Sequence, residues 1–438
     1  MKASTMLRSA PLFATLAFLA ACGSGEAQPN AGSDRGKATP VPAAQPAAPE
    51  AGPGTREAVG HAPDVIRGIY LNAYAAGSRK RLHQLLDLAD RTEINTFVVD
   101  TKDERGPHYD SQVPLARELT TPRENTLHDL KALVDTLHAH KLYAIARIVV
   151  FKDPILSKAK PEWSIRRPGG ALWMDKKGNT WVSAWDPNVW NYNVQLGEEA
   201  ARAGFDEVQF DYVRFPEPFP SLPPQIHPRA KGERSDAIVA FLAEAKKRIH
   251  PLGVPVAADL FGLSPADADD INIGQQWEAI VSTADHVLPM VYPSHFLPTH
   301  LPNVPHPNRM PHETVYKSIG AGELRIQRLK QAGVAHTARV IPWLQAFSAP
   351  WVDHNFPYGP QQASDQISAV YQTGLDDWIF WHPGARYEQI AAAFQPRTAP
   401  HAQKFEPTRE LVSFVDLLDR MGVKAHRGQA AKLASTGR

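Results

Sequence analysis

Two aspartates carry most of the chemistry this sequence offers. Asp211 lies in Phe205-Asp206-Glu207-Val208-Gln209-Phe210-Asp211-Tyr212-Val213-Arg214-Phe215-Pro216, a largely apolar run. Side chains alternate along a strand, so Gln209, Asp211 and Val213 share one face, and Val208, Phe210 and Tyr212 the other. A carboxylate set among aromatics needs a partner or a function. Arg214 is a partner close at hand, and a structural ion pair is the plain alternative to catalysis. Asp259 ends a second apolar run, Ala257-Ala258-Asp259-Leu260-Phe261-Gly262. Cleavage of a glycosidic bond uses two carboxyl groups, about 5 Å apart for retention and about 6.5–9.5 Å apart for inversion. Asp259 is the candidate general acid, against the reading of an aspartate that only anchors a loop.

Other polar residues end apolar runs in the same way. Asp100 and Lys102 share a face at the end of Thr96-Phe97-Val98-Val99-Asp100, where they can bind sugar hydroxyls or pair with each other. Arg147 can hold a carboxylate ionised by charge pairing, or form a structural salt bridge. Tyr292, Trp343, Gln345, Trp381 and His382 end later runs and are expected to complete the walls of a cleft. The stretch from Lys152 to Asp186, with Trp190 just beyond it, holds five of the ten tryptophans: Trp163, Trp173, Trp181, Trp185 and Trp190. Such rings offer faces for pyranose contact with a polar edge, and Trp185 is the candidate for that role. The alternative is that the loop uses them as its own core. Histidines 295, 300, 306 and 312 fit no zinc spacing, and prolines interrupt them. No nucleophile-elbow serine, phosphate loop or redox motif is present. Neither a metal nor another cofactor is expected.

These residues need a scaffold that gathers strand ends. Eight strand-like segments run through Ile66–Leu71, Ile94–Asp100, Leu142–Phe151, Asp206–Phe215, Val254–Phe261, His286–Tyr292, Arg339–Phe347 and Asp377–His382. Helical spacing fills the gaps, as in Leu82, Leu85, Leu86 and Leu88. Asp186-Pro187 has the N-cap and first-turn signature of a helix start. Continuous apolar strands alternating with amphipathic helices predict a parallel sheet covered on its outer face. Eight units predict an α/β fold of the (β/α)8 TIM-barrel kind, with long βα loops and its site at the C-terminal strand ends. The first turn has no G-x-G-x-x-G, which argues against a dinucleotide-binding sheet.

Composition bounds the rest. The chain has 438 residues, 43% apolar and 21% charged, with a formal net charge of +1. That charge gives no footprint for nucleic acid. Lys2 and Arg8 precede the apolar run Leu12 to Ala21, and Leu19-Ala20-Ala21-Cys22 resembles a bacterial lipobox. The resemblance implies a signal peptide over 1–21 and a lipid on Cys22, the single cysteine of the chain. Residues 22–62 are rich in Ala, Pro and Gly and read as a flexible tether. The barrel is expected over 63–395. A C-terminal extension, 396–438, follows, with one helix over Leu411 to Met421 and then a frayed tail. The expected placement is the cell envelope, lipid-anchored at the outer membrane, as a monomer that binds carbohydrate.

Gly204 to Pro216 also resembles the strand-4 signature of a bacterial family of glycosyl hydrolase domains, similar to the α-amylase type of barrel. The likeness runs from about Ile66 to Ala393. It takes in Arg67-Gly68-Ile69-Tyr70-Leu71, Asp100-Thr101-Lys102-Asp103 and Trp381-His382-Pro383. It implies a polysaccharide or oligosaccharide substrate and, by position, Asp211 as nucleophile. Amylase-type sites place an arginine two residues before the nucleophile and a glutamate after strand 5. This chain has Gln209 and Asp259 there. A carbohydrate-binding module without turnover, or a structural envelope lipoprotein, is the alternative to an enzyme.

Overall fold

The computed structural model describes residues 62–119, 125–396 and 400–436. The signal peptide, Cys22 and the tether up to residue 61 lie outside the described residues.

The strands are β1 (Arg67–Leu71), β2 (Thr96–Asp103), the short β3 (Gly106–Pro107), β4 (Tyr143–Val149), β5 (Glu207–Asp211), β6 (Val256–Phe261), β7 (His286–Met290), β8 (Arg339–Val340), β9 (Trp343–Gln345) and β10 (Trp378–Trp381). β1 pairs in parallel with both β2 and β10, so the sheet closes on itself. β8 and β9 together form the seventh stave. β3 only adds a short antiparallel arm to the end of β2. The result is a closed (β/α)8 barrel, as the alternation of apolar runs and helices predicts.

The period-two pattern sorts side chains into two cores. Val98, Ile145, Ala257, Leu288, Ile341 and Ile379 meet inside the barrel. Phe97, Ala144, Ile148, Val208, Phe210 and Leu260 point outward and pack under the helices. Local chemistry starts those helices. The Asp186 carboxylate accepts from the Asn188 amide and Pro187 opens the helix Pro187–Ala203; Ser78 and Asp129 cap Arg79–Arg91 and Leu130–Ala139 likewise.

Two strands depart from the expected register. β5 stops at Asp211, because Tyr212 turns into the left-handed region at φ 50. Val213 therefore shares no strand face with Asp211. In β2 the pairing with β4 shifts between Asp100 and Lys102. One extra residue in a strand moves the next side chain to the opposite face, so Asp100 points inward and Lys102 does not.

The N-terminal rim of the barrel is tied by ions. Glu207 accepts from His286 at 2.8 Å and from the Tyr143 hydroxyl at 3.0 Å. Arg339 grips Asp377 at 2.6 Å and donates to the backbone oxygens of Pro63 and Asp64. After the barrel, a helix spans Arg409–Thr436, beyond the Met421 end expected from its apolar stripe. Ala, Lys and Gln in its second half are good helix formers without such a stripe. Its first turns bury Leu411, Val415 and Leu418 and pack along the helix Pro311–Gln331, on the flank of the barrel.

Gly262 follows β6 at the cleft end, where an added Cβ would lie 2.3 Å from the Met290 backbone oxygen. Gly262→Ala is expected to force β6 and β7 apart and to lower stability by about 1–3 kcal/mol, as overpacking does. Denaturant unfolding monitored by far-UV circular dichroism measures the loss.

Candidate active site

Asp100 ends the inward-facing part of β2, Arg147 lies in β4, Asp211 ends β5 and Asp259 lies in β6. Each belongs to a different stave, so only barrel closure brings them together. Arg147 is the hub. One Nη donates to Asp100, the other to Asp211, and Nε lies 3.6 Å from Asp259. The Tyr70 hydroxyl donates to the second oxygen of Asp100. The Tyr212 amide, aimed by its left-handed turn, donates to the second oxygen of Asp211.

Asp259 sits differently. Its Oδ1 accepts from the Gln209 amide at 2.5 Å and from the Trp343 indole at 2.6 Å. Its Oδ2 is buried without a hydrogen-bond partner among the described residues. Burial first, and then the Asp211 charge, push the Asp259 carboxyl well above the ordinary carboxylate range; Arg147, Trp343 and Gln209 pull the other way. Burial also raises the Asp100 carboxyl, against Arg147 and Tyr70.

These groups form the floor of a cleft of about 230 Å³ at the C-terminal ends of the strands. Tyr292 and Trp381 stack at 5.4 Å on one side. Trp181, Tyr212 and Phe261 line the other, around Arg214. Arg147, Asp211, Arg214, Asp259, Tyr292, Trp343 and Trp381 all line the cleft. Asp100 and Gln209 stand behind Arg147 and Asp259 and act on the cleft through them.

Five expectations need correction. Lys102 does not face the cleft: the bulge in β2 turns it outward, where its ammonium meets Asp153 at 2.9 Å and the Val149 oxygen at 2.5 Å. Trp185 packs on Phe215 and His227 and donates to the Lys231 oxygen. Of the five tryptophans only Trp181 lines the cleft; Trp163, Trp173 and Trp185 pack in the core under the loop, and Trp190 lies in the helix Pro187–Ala203 against Phe241. Gln345 is fully buried and accepts from the Ser294 amide and hydroxyl, which pins the loop after β7. His382 is buried too, with Nδ1 accepting from the Gly384 amide, and burial pushes its imidazole down to about 4. Arg214 is no partner of Asp211: it pairs with Glu217 at 3.2 Å.

Glu217, Lys152 and His295 line the cleft and were not legible as site residues. Glu217 follows Phe215-Pro216 at the end of a strand-like run, the one signal by which it could have been found. Among the described residues no group of three or more metal-ligating side chains is assembled.

A family model described as "Putative glycosyl hydrolase domain" matches residues 68–387. The chain belongs to this family. A hypothetical protein from Ruminiclostridium thermocellum ATCC 27405 is 35% identical, over 44% of this chain and 97% of that one, with a TM-score of 0.40. The glycoside hydrolase domain of PgaB (BpsB) from Bordetella bronchiseptica is 14% identical, covers 76% of this chain and 100% of that one, and has a TM-score of 0.52. At that identity the likeness shows a shared barrel. No curated protein matches. As a member of a glycosyl hydrolase family, the chain is a glycoside hydrolase by class.

Arg147 neutralises charge that the barrel would otherwise concentrate. Arg147→Met leaves Asp100 and Asp211 facing each other unpaired. The variant is expected to lose about 3–5 kcal/mol near neutral pH, the usual result of breaking a buried pair. The unpaired carboxyls then titrate upward, so part of the loss should return as pH falls and they take up protons. Urea unfolding at pH 5 and pH 7.5 measures both.

Proposed function

We propose that this glycosyl hydrolase domain cleaves its glycan by a retaining, two-carboxylate route at the C-terminal face of the barrel. The observation that carries the reading is one guanidinium joined to Asp211 and lying beside Asp259, two carboxyls in opposite environments. A carboxyl raised by burial beside another that is held by N–H donors suits the pairing of acid and nucleophile. Asp211 has both oxygens held by N–H donors, which orients it for attack on the anomeric carbon. Asp259 has both donors on Oδ1, so a proton belongs on Oδ2.

The steps follow from those states. Asp211 attacks the anomeric carbon while the bond to the leaving oxygen breaks and takes the Oδ2 proton of Asp259. A glycosyl ester on Asp211 results. Asp259, now ionised, removes a proton from water, and the resulting nucleophile displaces Asp211 at the same carbon. Two inversions give net retention. Arg147 holds Asp211 in place, and Gln209 and Trp343 hold Asp259.

Asp211→Asn is expected to abolish turnover, and azide added to Asp211→Ala to yield a glycosyl azide. Asp259→Asn should lower kcat by about 10²–10⁴-fold on glycans with poor leaving groups, with much less effect on activated aryl glycosides. Because the acid works protonated, activity should fall as pH rises past the raised Asp259 pKa, and Asp259→Asn should remove that limb. Product release from a bacterial polysaccharide panel, measured against pH, checks all of this. Glycan binding without products, unaffected by both amide variants, would establish a binding module instead.

We also propose that Cys22 carries a lipid that holds the domain in the cell envelope, with residues 22–62 as its tether. The support is the order of basic residues, apolar run, small residues and cysteine. Among the described residues no helix is long and apolar enough to cross a membrane. Cys22→Ser is expected to move the protein from the membrane pellet to the soluble fraction, as an immunoblot of fractionated cells would show.

A further inference from the structure

The wall of the cleft opposite Tyr292 is cationic beyond what catalysis needs. Arg214 is 6% exposed and its guanidinium carbon lies 5.0 Å from the Trp181 and Tyr212 rings and 4.5 Å from the Phe261 ring. Such packing holds the planar fork in one orientation. Both protein acceptors, the Phe215 oxygen at 3.0 Å and Glu217 at 3.2 Å, use Nη1. The described residues engage neither Nη2 nor Nε. Guanidinium carries five N–H donors, and Arg214 lines the cleft, so donors remain for a bound group.

Lys152 lies against the same Tyr212 ring, its ammonium 4.7 Å from the ring centre and 3.5 Å from the hydroxyl, with a long ion pair to Glu104 at 3.9 Å. Lys176 and Lys177 come from the turn between Asp175 and Asn179 and line the same cleft. Lys176 lies over the Phe219 ring at 3.4 Å. Lys177 is near enough to His295 to add to the burial that pushes that imidazole down to about 4.

The acidic side chains on this wall are already engaged. Glu217 holds Arg214, and Asp175 accepts from the Trp181 indole at 3.1 Å and from the turn amides. His295 and His300 are held neutral by burial at physiological pH. The whole chain carries a formal charge of only +1, so this local excess does not simply follow from a basic composition. Neutral sugars ask for a mixture of donors and acceptors. A preset arginine edge with ammonium groups around it matches a planar or tetrahedral oxyanion.

We infer that the glycan taken by this cleft carries an acidic substituent, a carboxylate or a sulfate, and that Arg214 reads it with Lys152 beside it. The inference rests on the carbohydrate reading of the site above and adds the substrate class. Arg214 is a specificity residue, and the acidic group would sit beside the bond cleaved between Asp211 and Asp259.

Matched polymers test this without requiring turnover. Polygalacturonate and its fully methyl-esterified form differ in carboxylate charge on one backbone. Dextran sulfate and dextran do the same for sulfate. Retardation of the full chain in native gels containing each polymer, at 0.15 M salt to screen diffuse attraction, measures binding. At least one acidic polymer should bind tenfold or more tightly than its neutral partner, and which one it is separates carboxylate from sulfate. Arg214→Gln should cut that ratio at least tenfold, and Lys152→Gln should cut it in a background whose folding is checked by thermal melting. Lys404→Gln, on an exposed lysine outside the cleft, should leave it unchanged. Equal binding within both pairs, no binding of either acidic polymer, or a ratio indifferent to Arg214 and Lys152 overturns the inference. Turnover of a neutral glycan with no acidic preference would overturn this inference and leave the hydrolase reading intact. Acidic glycan bound through Arg214 but never cleaved would do the reverse.

Discussion

The mouth of the barrel depends on one guanidinium. β2, β5 and β6 each deliver a carboxylate to the same few ångströms, and β4 delivers Arg147 between them. Without a cation there, closing the ring would bring like charges together in a poorly solvated interior. With it, the same closure supplies one carboxyl held between N–H donors and another driven toward its neutral form. The barrel therefore does two things with one contact: it joins its staves at the top and sets the charge states of the groups beneath the cleft.

Much of this was open to strand alternation. Once Val208 and Phe210 go to the helices, Gln209 and Asp211 must face inward, and the same reasoning sends Asp259 toward them. Arg147 read as a residue that would hold a carboxylate, and it holds one on either side. What alternation could not carry was anything that interrupts it. The one-residue bulge before Lys102 has no signature in residue type, yet it turns that ammonium from the cleft to Asp153. The left-handed turn at Tyr212 ends β5 four residues early.

Polar residues at strand ends divide into two kinds that look alike in the sequence. Tyr292, Trp343 and Trp381 face the cleft. Gln345 and His382 occupy equivalent positions but hold loop backbone. Tryptophans divide similarly, because an indole whose N–H finds a carbonyl is as useful under a loop as over a sugar. Glu217 owes its place to Arg214, whose guanidinium lies over the Phe261 ring of a neighbouring stave. Side chains whose partners lie across the barrel are legible from local pattern; those whose partners are loops are not.

The rim around Arg339 has a geometric consequence. Pro63 and Asp64 are fastened by that arginine to the N-terminal end of the staves, and the Asp377 carboxylate receives the Ile66 amide beside them. The described chain thus enters the barrel at its N-terminal rim, and the cleft opens at the opposite pole.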